Sequence, residues 1–407
     1  MYGRSMLIRL ASILALAIAV TACGGEDDLP FGLQSEIVTR ADRASPMAFA
    51  PDGRLFYGEQ YTGIIRVVQA DGQPQAEPFA QLQVATAAAP DWGLTGLAVD
   101  PNFAANQFIY AFYTHPLINA DPATGVGPTA RPVVVRFRDD NGLAAEQAVV
   151  SENFPATDPA HNGINANGRA HFGGDGFLYL SVGDYDLFGT EPQRVRSLAE
   201  PIGKLLRVNA ADGSAAPGNP FSADPAADQR IFAYGFREPF PFAFEPGSGA
   251  IYGTDNTTVS CEELNLIEAG GDYSWPVGEF PFADCAAGGQ RPGIYYFAMP
   301  DRQPGDFLSF VEASGLVFAP GSKYPSLGDS LFVCETQRAD PSSKGELRRV
   351  VLSGPELNQV SADDLITNGC RGDLTVSRDG TLYYATDTEI RRLVPGTSSA
   401  ATRATLP

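Results

Sequence analysis

Along the chain, an apolar residue runs into a tight turn of Asp, Gly, Pro or Asn and out into an apolar strand, and this phrase occurs six times. The first is Phe49-Ala50-Pro51-Asp52-Gly53-Arg54-Leu55-Phe56-Tyr57. Val99-Asp100-Pro101-Asn102-Phe103, leading to Phe108-Ile109-Tyr110-Ala111, is the second, and Phe172-Gly173-Gly174-Asp175-Gly176-Phe177-Leu178-Tyr179-Leu180 the third. Phe244-Glu245-Pro246-Gly247 before Ile251-Tyr252 and Phe318-Ala319-Pro320-Gly321 before Leu331-Phe332-Val333 follow, and Val376-Ser377-Arg378-Asp379-Gly380-Thr381-Leu382-Tyr383 closes the set. Asp-Gly supplies the positive-φ positions of a tight turn, and the flanking residues alternate with period two, so each phrase predicts a β-hairpin. The phrases start at 49, 99, 172, 244, 318 and 376, and each interval holds about four short strands and their loops. One four-stranded sheet per phrase, repeated radially, predicts an all-β, six-bladed β-propeller over roughly residues 36–395. Only Glu191 to Leu198 reads as a turn or two of helix. Loops at one end of such a ring gather side chains into a site.

Composition agrees and narrows the function. The chain has 407 residues with 43 Gly and 32 Pro, more than the roughly 7% and 5% of average usage, as a chain that turns often requires. Its 28 basic and 48 acidic residues give a formal charge of −20, and no basic run interrupts the excess. Such a polyanion excludes nucleic-acid binding through phosphate neutralisation.

The N-terminus reads as an address. Arg4 and Arg9 precede the apolar stretch Leu10 to Ala22, too short to cross a bilayer as a mature helix. It ends Val20-Thr21-Ala22-Cys23, which resembles the cleavage site of a bacterial lipoprotein, with Cys23 lipidated as the new N-terminus. The expected organisation is therefore a signal peptide over 1–22, a tether over 23–35, the propeller over 36–395 and a tail over 396–407. The expected location is the periplasmic face of the outer membrane or the cell surface, with membrane contact only through the lipid. Four further cysteines, Cys261, Cys285, Cys334 and Cys370, suit disulfides in an oxidising envelope. They allow three pairings, and the nearest-neighbour one, 261–285 with 334–370, is expected.

The three histidines separate by context. His115 reads as a loop residue before Pro116, and His171 as a cross-strand packing residue in Arg169-Ala170-His171-Phe172. His161 lies in Asp158-Pro159-Ala160-His161-Asn162-Gly163, just before the third phrase, where an imidazole at a channel mouth suits a general base.

Several ordered motifs then carry a family resemblance. They are Gly93-Leu94-Thr95-Gly96-Leu97-Ala98-Val99, the segment from His161 through Phe172-Gly173-Gly174-Asp175-Gly176 to Gly183-Asp184, and Gly203-Lys204-Leu205-Leu206-Arg207-Val208-Asn209. Ala233-Tyr234-Gly235-Phe236-Arg237-Glu238-Pro239 and Glu262-Glu263-Leu264-Asn265 through Tyr273-Ser274-Trp275-Pro276 extend it. Together they resemble the pyrroloquinoline-quinone-dependent soluble aldose (glucose/sorbosone) dehydrogenases. The resemblance implies hydride transfer from the C1 hydroxyl carbon of an aldose to the quinone, with His161 as base and Arg237 stabilising the reduced quinone oxygen. It implies a Ca²⁺ ion held by the cofactor and by carbonyls near Asn256 and Thr257, with Glu262 and Glu263 supporting the metal, and Asp91 beside the cofactor. Arg371, with Arg338 or Lys344, would meet the quinone carboxylates; the partners are then a sugar and an electron acceptor. The spacing to Asp175 leaves two positions open for the base, His161 or Asn165, and Glu238 stands where the family has asparagine. The alternatives are a catalytically inactive propeller binding a glycan or protein, and a Ca²⁺-dependent hydrolase of the lactonase type.

Overall fold

A computed structural model of the chain describes residues 29–86, 91–118, 129–157, 164–187, 190–256, 262–274, 291–297, 311–337 and 344–396. They form six antiparallel four-stranded sheets. Blade 1 comprises Ala44–Phe49, Leu55–Glu59, Ile64–Val68 and Ala80–Gln81, and blade 2 Leu94–Val99, Phe108–Ile118, Thr129–Asp140 and Leu143–Ser151. Ala170–Phe172, Leu178–Val182, Lys204–Val208 and Ile231–Tyr234 make blade 3; Phe242–Phe244, Ile251–Asp255, Glu263–Ile267 and Tyr295–Tyr296 make blade 4. Blade 5 is Val311–Ala319, Ser330–Gln337, Glu346–Ser353 and Gln359–Asn368. Blade 6 combines Leu374–Val376, Leu382–Ala385 and Glu389–Pro395 with the N-terminal strand Leu33–Arg40.

Every sequence phrase is the turn between the first two strands of a blade, because Asp-Gly and Pro-Gly close that hairpin by local geometry. In blade 2 the phrase holds a short helix, Phe103–Asn106, and the expected helix near 191–198 is confined to Pro192–Arg196. His115 corrects the sequence reading, since it lies in a strand opposite Arg131 and not in a loop. The ring also begins earlier than expected. Leu33 pairs with Pro395 and Gln34 with Val394, so the last residues assigned to the tether belong to blade 6 and the two chain ends close the circle. That closure covers the otherwise open edge of Glu389–Pro395, with Leu33–Arg40 as the outermost strand.

Aromatic contacts join the blades. Phe56, Phe79 and Phe137 meet edge to face across blades 1 and 2. Tyr110–Phe172 joins blades 2 and 3, Tyr179–Phe244 blades 3 and 4, Tyr252–Phe318 blades 4 and 5, and Phe49–Tyr383 blades 6 and 1. Such pairs contribute about 0.5–1.5 kcal/mol each beyond their area. The inner strands surround an apolar cavity of about 340 Å³ at the phrase-turn end, and His171 contributes to its wall. His171 sits opposite Tyr179 with its ring edge on Phe242, the packing role expected of it, and burial and then Arg169 push its pKa down to about 3.

Arg169 closes the axis above that cavity. Its Nη1 donates to Ser45 O at 3.0 Å and Thr95 O at 2.8 Å, its Nη2 donates to Ser314 O, and its guanidinium packs on the Phe240 ring. The carboxylate of Asp373 is 3.3 Å away. With its own position at the head of blade 3, this one side chain meets segments belonging to all six blades. A Cβ at the preceding Gly168 would overlap the Ser181 carbonyl oxygen, so only glycine lets the chain lie flat there and aim Arg169 along the axis.

Candidate functional site

The opposite end of the channel opens into a polar cavity of about 360 Å³. Its wall is assembled from loops that lead into the inner strands, which a rigid ring holds in register. Arg43 and Arg371 bring two guanidiniums to it, Asp91 and Glu312 two carboxylates, and Tyr61 and Phe240 two aromatic faces. Ser45 and Phe240 also contact Arg169, which therefore underlies the floor.

The two guanidiniums of the basic wall share one carboxylate, Asp387. Arg371 Nη1 lies 3.5 Å from Asp387 Oδ2 and Arg43 Nη1 3.8 Å from Asp387 Oδ1. Arg43 also stacks 5.0 Å over the Tyr61 ring. Ion pairs this long and partly exposed contribute little by themselves. A disulfide, Cys334–Cys370, braces this wall: Thr336 and Arg371, two and one residues further along, both line the cavity. This is the expected 334–370 bridge; Cys261 and Cys285 lie outside the described residues.

The acidic wall is buried and more tightly knit. Asp91 Oδ2 accepts the Asn165 backbone N–H, and the Asn167 amide Nδ2 lies 3.4 Å from Asp91 Oδ2 and 3.3 Å from Glu238 Oε1. Asn165 Nδ2 donates to Asp184 Oδ1 at 2.8 Å. The carboxylate of Asp255, at the end of a blade 4 strand, accepts the backbone N–H groups of Arg237 and Glu238 and so fixes the turn that carries them. Asp91, Asn165, Asn167 and Glu238 are all buried.

The sequence-derived residues divide accordingly. Asp91 and Arg371 line the cavity. Arg237 lies beneath the lining: it is 3% exposed, donates to Asn256 O at 2.8 Å and sits 3.8 Å from Glu238 Oε2. Asn256 does not point its amide into the cavity; that group exchanges two hydrogen bonds with the Ala313 backbone, joining blades 4 and 5. Lys344 is exposed and is not part of the lining. Glu262 and Glu263 are buried in blade 4, away from the cavity lining, and burial with the nearby Asp255 charge pushes the Glu263 carboxyl well above the usual range. Glu335 of blade 5 is raised likewise by burial and by Asp363, with Glu262 a further contributor. Among the described residues, no three His, Cys, Asp or Glu side chains converge to hold a metal by themselves.

His161, Thr257 and Arg338 lie outside the described residues. Asn165 is in the site, buried against Asp91 and Asp184, but an amide does not take up a proton near neutral pH. Sequence reasoning missed Arg43 and Asn167. Arg43 lies on the closure between blades 6 and 1, which no local motif marks, whereas Asn167 beside Gly168-Arg169 was visible as a polar residue entering a strand that reaches the axis.

Comparison with known proteins agrees with this architecture. Aldose sugar dehydrogenase YliI of Escherichia coli is 24% identical over 363 residues, covering 86% of this chain and 88% of that protein. A Thermus thermophilus structure, described as a glucose dehydrogenase-type oxidoreductase, superposes with a TM-score of 0.69 at 28% identity, covering 89% of this chain and 100% of the other. The PQQ-bound aldose sugar dehydrogenase of Streptomyces coelicolor has a TM-score of 0.64 at 20% identity over 90% of this chain and 99% of its own, a likeness of fold. The model of the glucose/sorbosone dehydrogenase family matches residues 42–394, and the chain belongs to that family.

Proposed function

We propose that this propeller oxidises the C1 hydroxyl of aldose sugars, with pyrroloquinoline quinone as its redox cofactor. The observation that carries the reading is the pair of guanidiniums, Arg43 and Arg371, on one wall of a cavity with aromatic faces. A flat ring system bearing three carboxylates fits that donor set: Arg43 and Arg371 would hold two carboxylates, and Tyr61 or Phe240 offers a face to the ring. Each charge-assisted contact would contribute about 1.5–3 kcal/mol. Bound there, the quinone supplies the acceptor for the two electrons that leave the sugar.

The chain's own residues do the rest. Asp91 and Glu312 on the wall, and His161, are groups able to take the C1 hydroxyl proton, His161 being the one the family resemblance selects. Arg237 stiffens the turn behind the wall through Asn256 O and Glu238. Glu262 and Glu263 would serve a Ca²⁺ ion from blade 4 once ionised, since a divalent cation lowers the pKa that burial has raised. Relatives share the family and the fold, which support an oxidoreductase; the sugar and the terminal electron acceptor are open to assay.

The test is dye reduction by apo-protein given quinone and Ca²⁺, across several aldoses. Aldose-dependent turnover lost in His161→Ala supports the full reading. Turnover surviving in that variant but lost in Asp91→Asn moves the base to Asp91. Absence of turnover with every aldose refutes the dehydrogenase reading and favours the binding or hydrolase alternatives.

A further inference from the structure

The cavity on the phrase-turn side of Arg169 is walled by all six inner strands. Each strand places one lining residue at the same register, opposite an aromatic residue of the next strand: Ala48, Ala98, His171, Ala243, Val317 and Thr375. Four of the six are short and apolar, which keeps a space of about 340 Å³ open along the axis. The next lining position is Phe49, Phe172, Phe244 or Phe318 in four blades, and each ring is fixed edge to face against a tyrosine of an adjoining blade. Among the described residues, no Asp, Glu, Lys or Arg side chain lines the cavity.

We propose that this cavity binds a small neutral ring compound carrying one hydroxyl, of the phenol class, with His171 and Thr375 as its polar contacts. These two side chains break the apolar pattern, and they stand three blades apart, on opposite sides of the axis. Neither makes a side-chain hydrogen bond to another described residue. Packing explains the ring of His171 against Phe242 but not its nitrogens, since Ala or Val fills the same register in four other blades. Burial and then Arg169 push the His171 pKa down to about 3, so at neutral pH the imidazole offers one donor and one acceptor. A phenolic hydroxyl can donate to the imidazole nitrogen and accept from the threonine hydroxyl.

Size and charge set the rest of the ligand. An apolar cavity of about 150 Å³ takes a benzene ring, so this one has room for a substituted ring. A mostly apolar wall with a few placed polar groups is the usual make-up of a small-molecule site. Arg169 closes the inner end, its guanidinium engaged by the Ser45, Thr95 and Ser314 carbonyls and by Asp373. An anionic ligand therefore finds no free cation here, and burying its charge is costly. The site lies across Arg169 from the polar cavity and does not rest on the dehydrogenase reading.

The experiment titrates thymol, a neutral alkylphenol, into the full-length protein at pH 7 by calorimetry. The comparison ligands are para-cymene, the same molecule without its hydroxyl, and cuminate, its carboxylate counterpart. One thymol should bind with a dissociation constant of about 10⁻⁵–10⁻³ M, the range open to a ligand of this size. Para-cymene should bind about 5-fold more weakly and cuminate at least ~10-fold more weakly. His171→Leu should weaken thymol about 5-fold and Thr375→Val about 3-fold, while both leave para-cymene within about 2-fold. That split separates a polar contact from mere packing, which would move both ligands together. Val317→Phe should exclude both by filling the space, and Arg371→Met, in the polar cavity, should change neither. Thermal melts identify any variant that has not folded; His171→Leu and Thr375→Val, which nearly conserve volume, decide the question. The proposal is overturned by absence of saturable thymol binding, by equal effects of His171→Leu on the two neutral ligands, by tighter binding of cuminate than thymol, or by loss of thymol in Arg371→Met.

Discussion

Replacing Arg169 by methionine tests whether one axial side chain ties the ring together. Methionine keeps most of the stem volume but removes the donors to Ser45, Thr95 and Ser314 and the partner of Asp373. Asp373 is then a buried carboxylate whose remaining contacts include the Met47 N–H at 2.9 Å. Breaking a buried pair from one side costs about 3–5 kcal/mol. For a ring of this size, an unfolding entropy of about 2.1 cal/mol/K per residue converts this to a fall in Tm of roughly 4–7 °C. The sign of the pH dependence follows from Asp373. Burial already raises its pKa, while Arg169 holds it down; removing Arg169 raises it further. A carboxyl with a folded pKa above its unfolded one destabilises the fold above that pKa, so the deficit is greatest at neutral pH and shrinks as pH falls through the folded value. Asp373→Asn in the same chain should restore at least half of the loss. Calorimetric melts of wild type, both single variants and the double variant form the cycle. An Arg169→Met protein melting within about 1 °C of wild type, or an Asp373→Asn change that adds to the damage, would refute the reasoning.

Other predictions follow from single groups. Because burial and Arg169 depress the His171 pKa to about 3, the unfolded chain binds a proton below pH 6.5 that the folded one refuses. Stability should fall by about 1.4 kcal/mol per pH unit from there, and His171→Leu should flatten that limb in urea titrations at pH 7, 6 and 5; an unchanged slope counts against it. Loss of the Cys334–Cys370 bridge, which spans 36 residues, should cost about 4 kcal/mol by loop closure and lower the Tm by roughly 5 °C in the double alanine variant. A melt indistinguishable from wild type would show that the bridge adds no stability. Cys23→Ser should release the protein from membranes on fractionation, and continued membrane association would point to another anchor.

How much of this was legible differs by element. The six hairpins were readable because Asp52-Gly53, Asp175-Gly176 and Asp379-Gly380 specify their turns locally, whatever the rest of the chain does. The closing strand Leu33–Arg40 was not, since its partner lies about 350 residues away and register across such a distance leaves no local mark. The family motifs led to Asp91, Arg237 and Arg371, but motif order could not distinguish a residue that lines the cavity from one beneath it. Arg237 is the instance, held under the wall by Asn256. Arg169 was quoted only as the neighbour of His171. An arginine entering an apolar inner strand was the available signal, because a buried guanidinium must find several acceptors, and only the channel axis offers carbonyls from several blades at once.

The central claim is that Arg43 and Arg371 make this cavity a receptor for a polycarboxylate quinone. The most direct measurement is a titration of apo-protein with pyrroloquinoline quinone, followed by its absorbance, for wild type and for Arg43→Met and Arg371→Met. Saturable one-to-one binding, weakened about 10- to 150-fold by either change, is the predicted result, equivalent to about 1.5–3 kcal/mol per lost contact. No saturable binding to wild type, or binding indifferent to both arginines, would contradict the account.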